Sequence, residues 1–330
     1  MSQFVNHRIL RALLATLVAA GSLLALPGVA LAQGYPSKPI TLIVPSVAGG
    51  ILDTIGRIVA RGLEKMGQPV LVQNIPGAGS SLGTAAVAAA PADGYTLGMV
   101  ATSHAINPSV YAKLPYDTKR DLAPISHSVN LVNLFVVHPS VPANSLKEFI
   151  ELAKRKPGVL TYGSAGNGQS NHLSAEMLKT DTGINLIHAP YKGSAAAMND
   201  VLAGVLSAMF VDALSSMPHV KAGKLKALAT SSDVRLPTAP EIPTFAESGL
   251  PNFNANSWLG LVGRAGTPPE VLARIGAAAA QVMHDPEVRQ RLLAMGVQPV
   301  GSSPEQFARF LDAEMLRYAA AVKKAGAKLD

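Results

Sequence analysis

Four stretches of this chain set a small, amide-rich turn between an apolar run and a helical pattern. They are Ser46-Val47-Ala48-Gly49-Gly50, Asn74-Ile75-Pro76-Gly77-Ala78-Gly79-Ser80-Ser81, Gly163-Ser164-Ala165-Gly166-Asn167-Gly168-Gln169-Ser170 and His188-Ala189-Pro190-Tyr191-Lys192-Gly193-Ser194. A strand-to-helix turn of this kind leaves backbone N–H groups unpaired at the positive end of a helix dipole, where a carboxylate or phosphate is the natural guest. One such turn is an ordinary helix start; it is the repetition that points to anion capture. Asp53 falls in a first helical turn, where it caps amides. Only Lys192 and Arg57 stand near these loops as cations, so capture would rest on oriented amides.

A competing chemistry has one motif. Gly79-Ser80-Ser81-Leu82-Gly83 fits G-x-S-x-G between a predicted strand and helix, which makes Ser81 the candidate nucleophile of a secreted α/β hydrolase. No distinctive acid and histidine loop follows it. Without cysteine there is neither a thiolate nucleophile nor a thiolate metal site, and the eight histidines show no H-E-x-x-H spacing. No phosphate-binding G-x-x-x-x-G-K-[ST] loop is present.

The elements that must hold these loops are legible from periodicity. Thr41–Pro45 reads as a buried strand, and Ile51, Ile55, Ile58, Val59, Leu63 and Met66 as one helical face stopped by Gly67. Pro69–Gln73 and Tyr95–Val100 are further strands, the latter ending in Ala101-Thr102-Ser103-His104. Strands alternating with helices predict an α/β fold of parallel sheets with helices on both faces, whose ligands sit at strand C-terminal ends. The apolar run Leu131–Val137 and the segment Asn254–Val262 read as two crossings between lobes, with a hinge where they pass. The expected lobes are therefore 33–133 with 255–330, and 134–254. Ser145–Glu148, Thr267–Glu270 and Ser303–Gln306 read as capping boxes opening helices.

Met1–Ala32 reads as a secretory leader: Arg8 and Arg11 precede a 14-residue apolar run, Leu13–Leu26, and Ala30-Leu31-Ala32 forms an A-x-A cleavage site. That run is shorter than the roughly 20 residues a membrane-spanning helix needs. A cysteine-free exported chain of this length suggests a two-domain protein of a bacterial periplasm. Removal of Arg8 and Arg11 takes the formal charge from +7 to +5, because no acid leaves with them. Basic residues are scattered and aromatics make up only 5%, so no nucleic-acid partner is expected, while a mildly positive field favours acidic small ligands.

A wider set of residues carries a family resemblance: Tyr35-Pro36-Ser37-Lys38-Pro39-Ile40, Gly49-Gly50 with Asp53, Asn74 with Pro76-Gly77-Ala78-Gly79, Pro91-Ala92-Asp93-Gly94-Tyr95, Leu114-Pro115-Tyr116-Asp117, Tyr162–Gly168, Pro190-Tyr191-Lys192-Gly193 and Pro218–Leu225. In this order they resemble the Bug-type solute-binding proteins of tripartite tricarboxylate transporters, over essentially the whole mature chain. The resemblance implies a type II-like, two-lobed periplasmic binding protein of Venus-flytrap form, each lobe a mainly parallel sheet flanked by helices. It implies no catalysis and no cofactor or metal. A monomer would close on a small carboxylate and deliver it to the membrane subunits of the transporter; a ligand-sensing adaptor would use the same fold.

The ligand-binding residues that the resemblance carries over are Ser46, Ala48, Gly49, Asn74, Gly79, Thr102 and Ser103 in the first lobe, and Ser164, Ala165, Gly166, Asn167, Tyr191 and Asp212 in the second. Asp53 and His172, also motif positions, are assigned to structure. The chain departs from the family at Ser46, where a bulky residue is common, at Ile75, where arginine is common, and at Ser80, where glycine is common. The small Ser46 leaves room beside Gly49, which predicts a bulky, even aromatic, dicarboxylate with one carboxylate on the Gly49 and Gly166 amides and its body toward Ser46 and Tyr191. The leader also predicts that exported protein begins at Gln33. Intact-mass measurement of periplasmic material checks this, and retention of residues 1–32 would contradict it.

Overall fold

The computed structural model describes residues 34–328; the expected leader and its cleavage site lie outside them. The segment 38–328 carries two sheets. In chain order the strands are β1 (Ile40–Val44), β2 (Val70–Asn74), β3 (Thr96–Ala101), β4 (Leu122–Leu131), β5 (Asn133–Val137), β6 (Thr161–Ser164), β7 (Ile187–Pro190), β8 (Ala208–Asp212), β9 (Lys226–Thr230), β10 (Ser257–Arg264) and β11 (Val297–Pro299). The first sheet runs β11-β4-β10-β3-β1-β2 and the second β7-β6-β8-β5-β9.

Both sheets are mixed. Pairing is parallel where strand–helix repeats succeed one another, β1 with β2 and β3, and β6 with β7 and β8. It turns antiparallel where the connecting strands enter: β10 against β3 and β4, β11 against β4, and β5 against β8 and β9. A parallel partner needs a crossover helix, and a strand arriving directly from the other sheet has none. The chain passes to the second sheet between Leu131 and Asn133 and returns before Ser257.

Strand β4 escapes sequence reading. Its ten residues include Pro124 and a buried polar triplet, Ser126, His127 and Ser128, which break the apolar alternation that marks a strand. Ser302 answers part of the run, since Ser126 Oγ donates to Ser302 O (2.9 Å) and His127 N donates to Ser302 Oγ (2.9 Å), while the His127 ring stacks on Phe310 (4.2 Å) and Ser128 Oγ finds no partner among the described residues. The short β11 and the helix Ser103–Val110 were likewise unmarked.

Of the three expected capping boxes one forms reciprocally, one in part and one not at all. Ser303 and Gln306 form a reciprocal capping box at the start of the helix Pro304–Ala325, and Ser145 accepts from Glu148 N (3.2 Å) at Leu146–Arg155. Thr267 does not cap. Its hydroxyl donates to Arg264 O (2.7 Å), and Pro268 occupies the N-cap of Pro269–His284, because Pro269 already presets the first helical φ.

The second sheet is covered on both faces. Phe135, Phe149, Phe210 and Phe245 build one core, and Leu134, Val136, Met209 and Val211 build the other with Val201 and Leu206. In the first half, Trp258, Phe307, Leu311 and Tyr318 join β10 to the helix Pro304–Ala325, and Leu173 of the helix Ser170–Thr182 enters the same core from the other half. Gly260 on β10 meets Phe307 so closely that a Cβ there would lie 2.3 Å from the ring tip, and Phe307 is fully buried and has nowhere to swing. Gly260→Ala is therefore expected to destabilise the protein by about 1–3 kcal/mol through overpacking, read as a lower urea midpoint at unchanged slope.

Candidate functional site

Between the two sheets lies a cavity of about 150 Å³. Ile51, Ser170, Asn171 and Ser194 line it at one side, and Leu131, Val132, Asn133, Phe210, Val211, Asp212, Leu214, Ser257 and Met295–Val297 form the rest of its wall. Ile51, Ser170 and Ser194 are the first residues of the helices Ile51–Glu64, Ser170–Thr182 and Ser194–Leu202. Their N-cap residues Gly50, Gln169 and Gly193 give no side-chain cap. Three helix starts drawn from both halves of the chain, none with an N-cap side-chain bond, thus meet at one cavity, each a site of partial positive charge. Asp212 is the single charged side chain in the lining.

The glycine loops support these helix starts. Asp53, 3% exposed, accepts from Gly49 N (2.9 Å), Arg57 Nε (2.9 Å) and Asn74 Nδ2 (3.0 Å). The Arg57 hydrogen bond leads the effects that hold its carboxyl at about 2, below the ordinary carboxylate range. Asn74 Nδ2 also donates to Ser46 O (3.0 Å), which ties β2 to the loop after β1. In the second half Asn171 Oδ1 accepts from Ala165 N (3.1 Å) and His172 N (3.0 Å), and His172 Nδ1 accepts from Gly168 N (3.1 Å).

Of the residues carried over from the resemblance, Asp212 lines the cavity and the others are not part of its lining. Several are already committed. Gly49 N serves Asp53, Asn74's amide serves Asp53 and Ser46, Ala165 N serves Asn171, and Gly166 N serves Ser164 Oγ (3.1 Å). Thr102 is buried with its hydroxyl accepting from Trp258 N (2.9 Å), Ser164 is fully buried, and Tyr191's hydroxyl donates to Asp200. Gly79's carbonyl accepts from Asn107 Nδ2 (3.0 Å), and Ser103 begins the helix Ser103–Val110. Ala48 and Asn167 are exposed, and Ser46 is half-buried outside the lining. The loops that looked like donors spend their amides on side chains, and the donors reaching the cavity belong to the first helical turn beyond each loop. Ile51, Ser170, Asn171 and Ser194 carried that signal in sequence, because each follows a glycine turn. Met295–Val297 carried none, since they enter from the far end of the chain.

Ser81 has the ordinary helical φ of −67° and is 4% exposed, while the left-handed φ (+73°) falls on Ser80, so the strained, exposed nucleophile of an elbow is not formed. A close Ser–His pair occurs instead at Ser164 Oγ and His188 Nε2 (2.7 Å), under the second glycine loop. There the rings of Tyr162, His188 and His172 stack, with His188 and His172 4.1 Å apart, and Glu176 accepts from Tyr162 OH (2.5 Å) and Lys179 (2.7 Å). Burial, then the neighbouring His188, hold His172 at about 4, and burial lowers His188.

Two sheets joined by two crossings around a cavity of helix starts define a two-lobed ligand-binding protein. The chain belongs to the tripartite tricarboxylate transporter family receptors (TctC), whose pattern matches residues 55–327. It is similar to the solved periplasmic binding protein BugD, at 31% identity with 89% of this chain and 99% of that one covered and a TM-score of 0.74. It is also similar to Rpa4515 of R. palustris with adipate (32%, 89% and 100%, 0.78) and to MatC of Rhodopseudomonas palustris with bound malate (28%, 87% and 100%, 0.73). These are binding proteins and not enzymes, so the hydrolase reading of Ser81 falls.

The buried imidazoles make stability pH-dependent. His172 is neutral when folded down to about pH 4 but takes a proton near 6.5 when unfolded, so its contribution is complete above 6.5 and is lost as pH falls toward 4. His104 and His127, also held at about 4 by burial, act in the same direction. Urea midpoints should fall steadily from pH 7 to pH 4.5. His172→Gln should flatten part of that slope; an unchanged slope would show that His172 is not held neutral.

Proposed function

We propose that this chain is a periplasmic receptor that closes its two lobes on a compact organic carboxylate and delivers it to the membrane subunits of a tripartite transporter. The observation that carries the reading is the meeting of three uncapped helix starts at a cavity whose lining has no cation. Each start contributes about 0.3–1 kcal/mol when exposed and up to about 2 when partly buried, so several together hold an anion reversibly, as a delivering protein requires. The relatives bound to adipate and malate support the ligand class. One chain supplies the whole cavity, and we take the working unit to be a monomer.

The lobes would be 33–133 with 255–330, and 134–254, hinged where the chain crosses between sheets. Ala48 and Asn167, exposed at the loop tips, would form the rim that closes over the ligand. The bulky aromatic acid expected from Ser46 gains no support from the geometry, because Ser46 stands outside the lining and about 150 Å³ suits a compact skeleton.

A thermal-shift screen of mono-, di- and tricarboxylates and aromatic acids tests the reading. A true ligand at ~100 times its Kd stabilises the fold by about 2.7 kcal/mol, and the same acid should lower the radius of gyration in solution scattering as the lobes close. Carboxylates that leave both quantities unchanged would overturn it.

A further inference from the structure

Resting on this carboxylate reading, we propose that Asp212 sets specificity: the ligand carries a hydroxyl or ammonium donor on its skeleton facing Asp212, so the preferred class is hydroxy- or amino-substituted compact acids. Asp212 ends β8 and pairs in register with Asn133, the first residue of β5, which places the two side by side at the end of two central strands where the sheet lines the cavity. Its carboxylate caps the helix Ala213–Lys221, Oδ1 accepting from Ser215 N (2.8 Å) and Oδ2 from Ser215 Oγ (2.7 Å). An ionised carboxylate offers about four lone-pair positions and no donor, so two remain beyond the cap.

Nothing else in the lining answers them. Asn133 spends its N–H groups on Ala255 O (2.6 Å) and Ser257 Oγ (3.1 Å), Asn171 donates to Ser194 Oγ (3.3 Å), and no Lys or Arg reaches the cavity. Among the described residues Asp212 takes part in no salt bridge. The helix starts Ile51, Ser170 and Ser194 receive the ligand's carboxylate. A bare methylene lodged against Asp212 would strip water from the acceptor without replacing its hydrogen bond, and a second carboxylate would be repelled. A hydroxyl or ammonium completes it. Sites built to hydrogen-bond a substituent reject the analogue that lacks it more strongly than apolar pockets discriminate by size.

The test uses succinate, L-malate and L-aspartate, which differ only in the substituent on one carbon, titrated calorimetrically into the mature protein and into Asp212→Asn. Asparagine also caps helices well, so the variant should melt close to wild type. Wild type should bind malate or aspartate at least about tenfold more tightly than succinate, and Asp212→Asn should shrink that preference to about threefold or less. Equal binding of succinate by wild type, or an undiminished preference in the folded variant, overturns the role of Asp212. If none of the three binds while other carboxylates do, that role is overturned as well. If no carboxylate of any kind binds, the carboxylate reading itself falls and takes this one with it.

Discussion

The first amides of a helix have no partner within it, and the whole cavity depends on how this chain disposes of them. In each half, side chains buried behind the loops take up the loop's own donors: Asp53 for Gly49, and Asn171 and His172 for Ala165 and Gly168. With the loops satisfied internally, the donors left to the cavity are those of the first helical turns at Ile51, Ser170 and Ser194.

That arrangement explains an acidic-ligand receptor whose lining lacks basic side chains. Arg57, near enough to have been an anion partner, is held by Asp53 instead and serves to position the loop. A buried guanidinium would bind a carboxylate more strongly and release it reluctantly.

The two sheets keep separate cores around Phe135 and around Trp258, and the chain crosses between them at Leu131–Asn133 and again before Ser257. Contacts across the halves include Leu173, the bond of Gln298 Nε2 to Ser232 Oγ (2.6 Å), and Arg317, which donates to Asn254 O (2.7 Å) beside the return crossing. Met295–Val297 packs where the cavity wall meets the helix Ala213–Lys221, with Gly296 close to Ala213.

The sequence by itself determined the strand–turn–helix repeats, the apolar faces and the Ser303 capping box, because all of these are local: they follow from residue spacing and from backbone groups left over at helix starts. Local side chains already take some loop donors, Gly49 and Ala165 giving theirs to Asp53 and Asn171 over short separations, whereas only tertiary structure commits the Thr102 hydroxyl, which accepts from Trp258 N, 156 residues away. The same holds for β4, whose Ser126 hydroxyl and His127 backbone N–H find their partner in Ser302 from the far end of the chain, and for Met295–Val297, which lie in the cavity wall where β11 pairs with β4. A donor's availability is settled by whatever the fold places against it, and that is not written in the spacing of its neighbours.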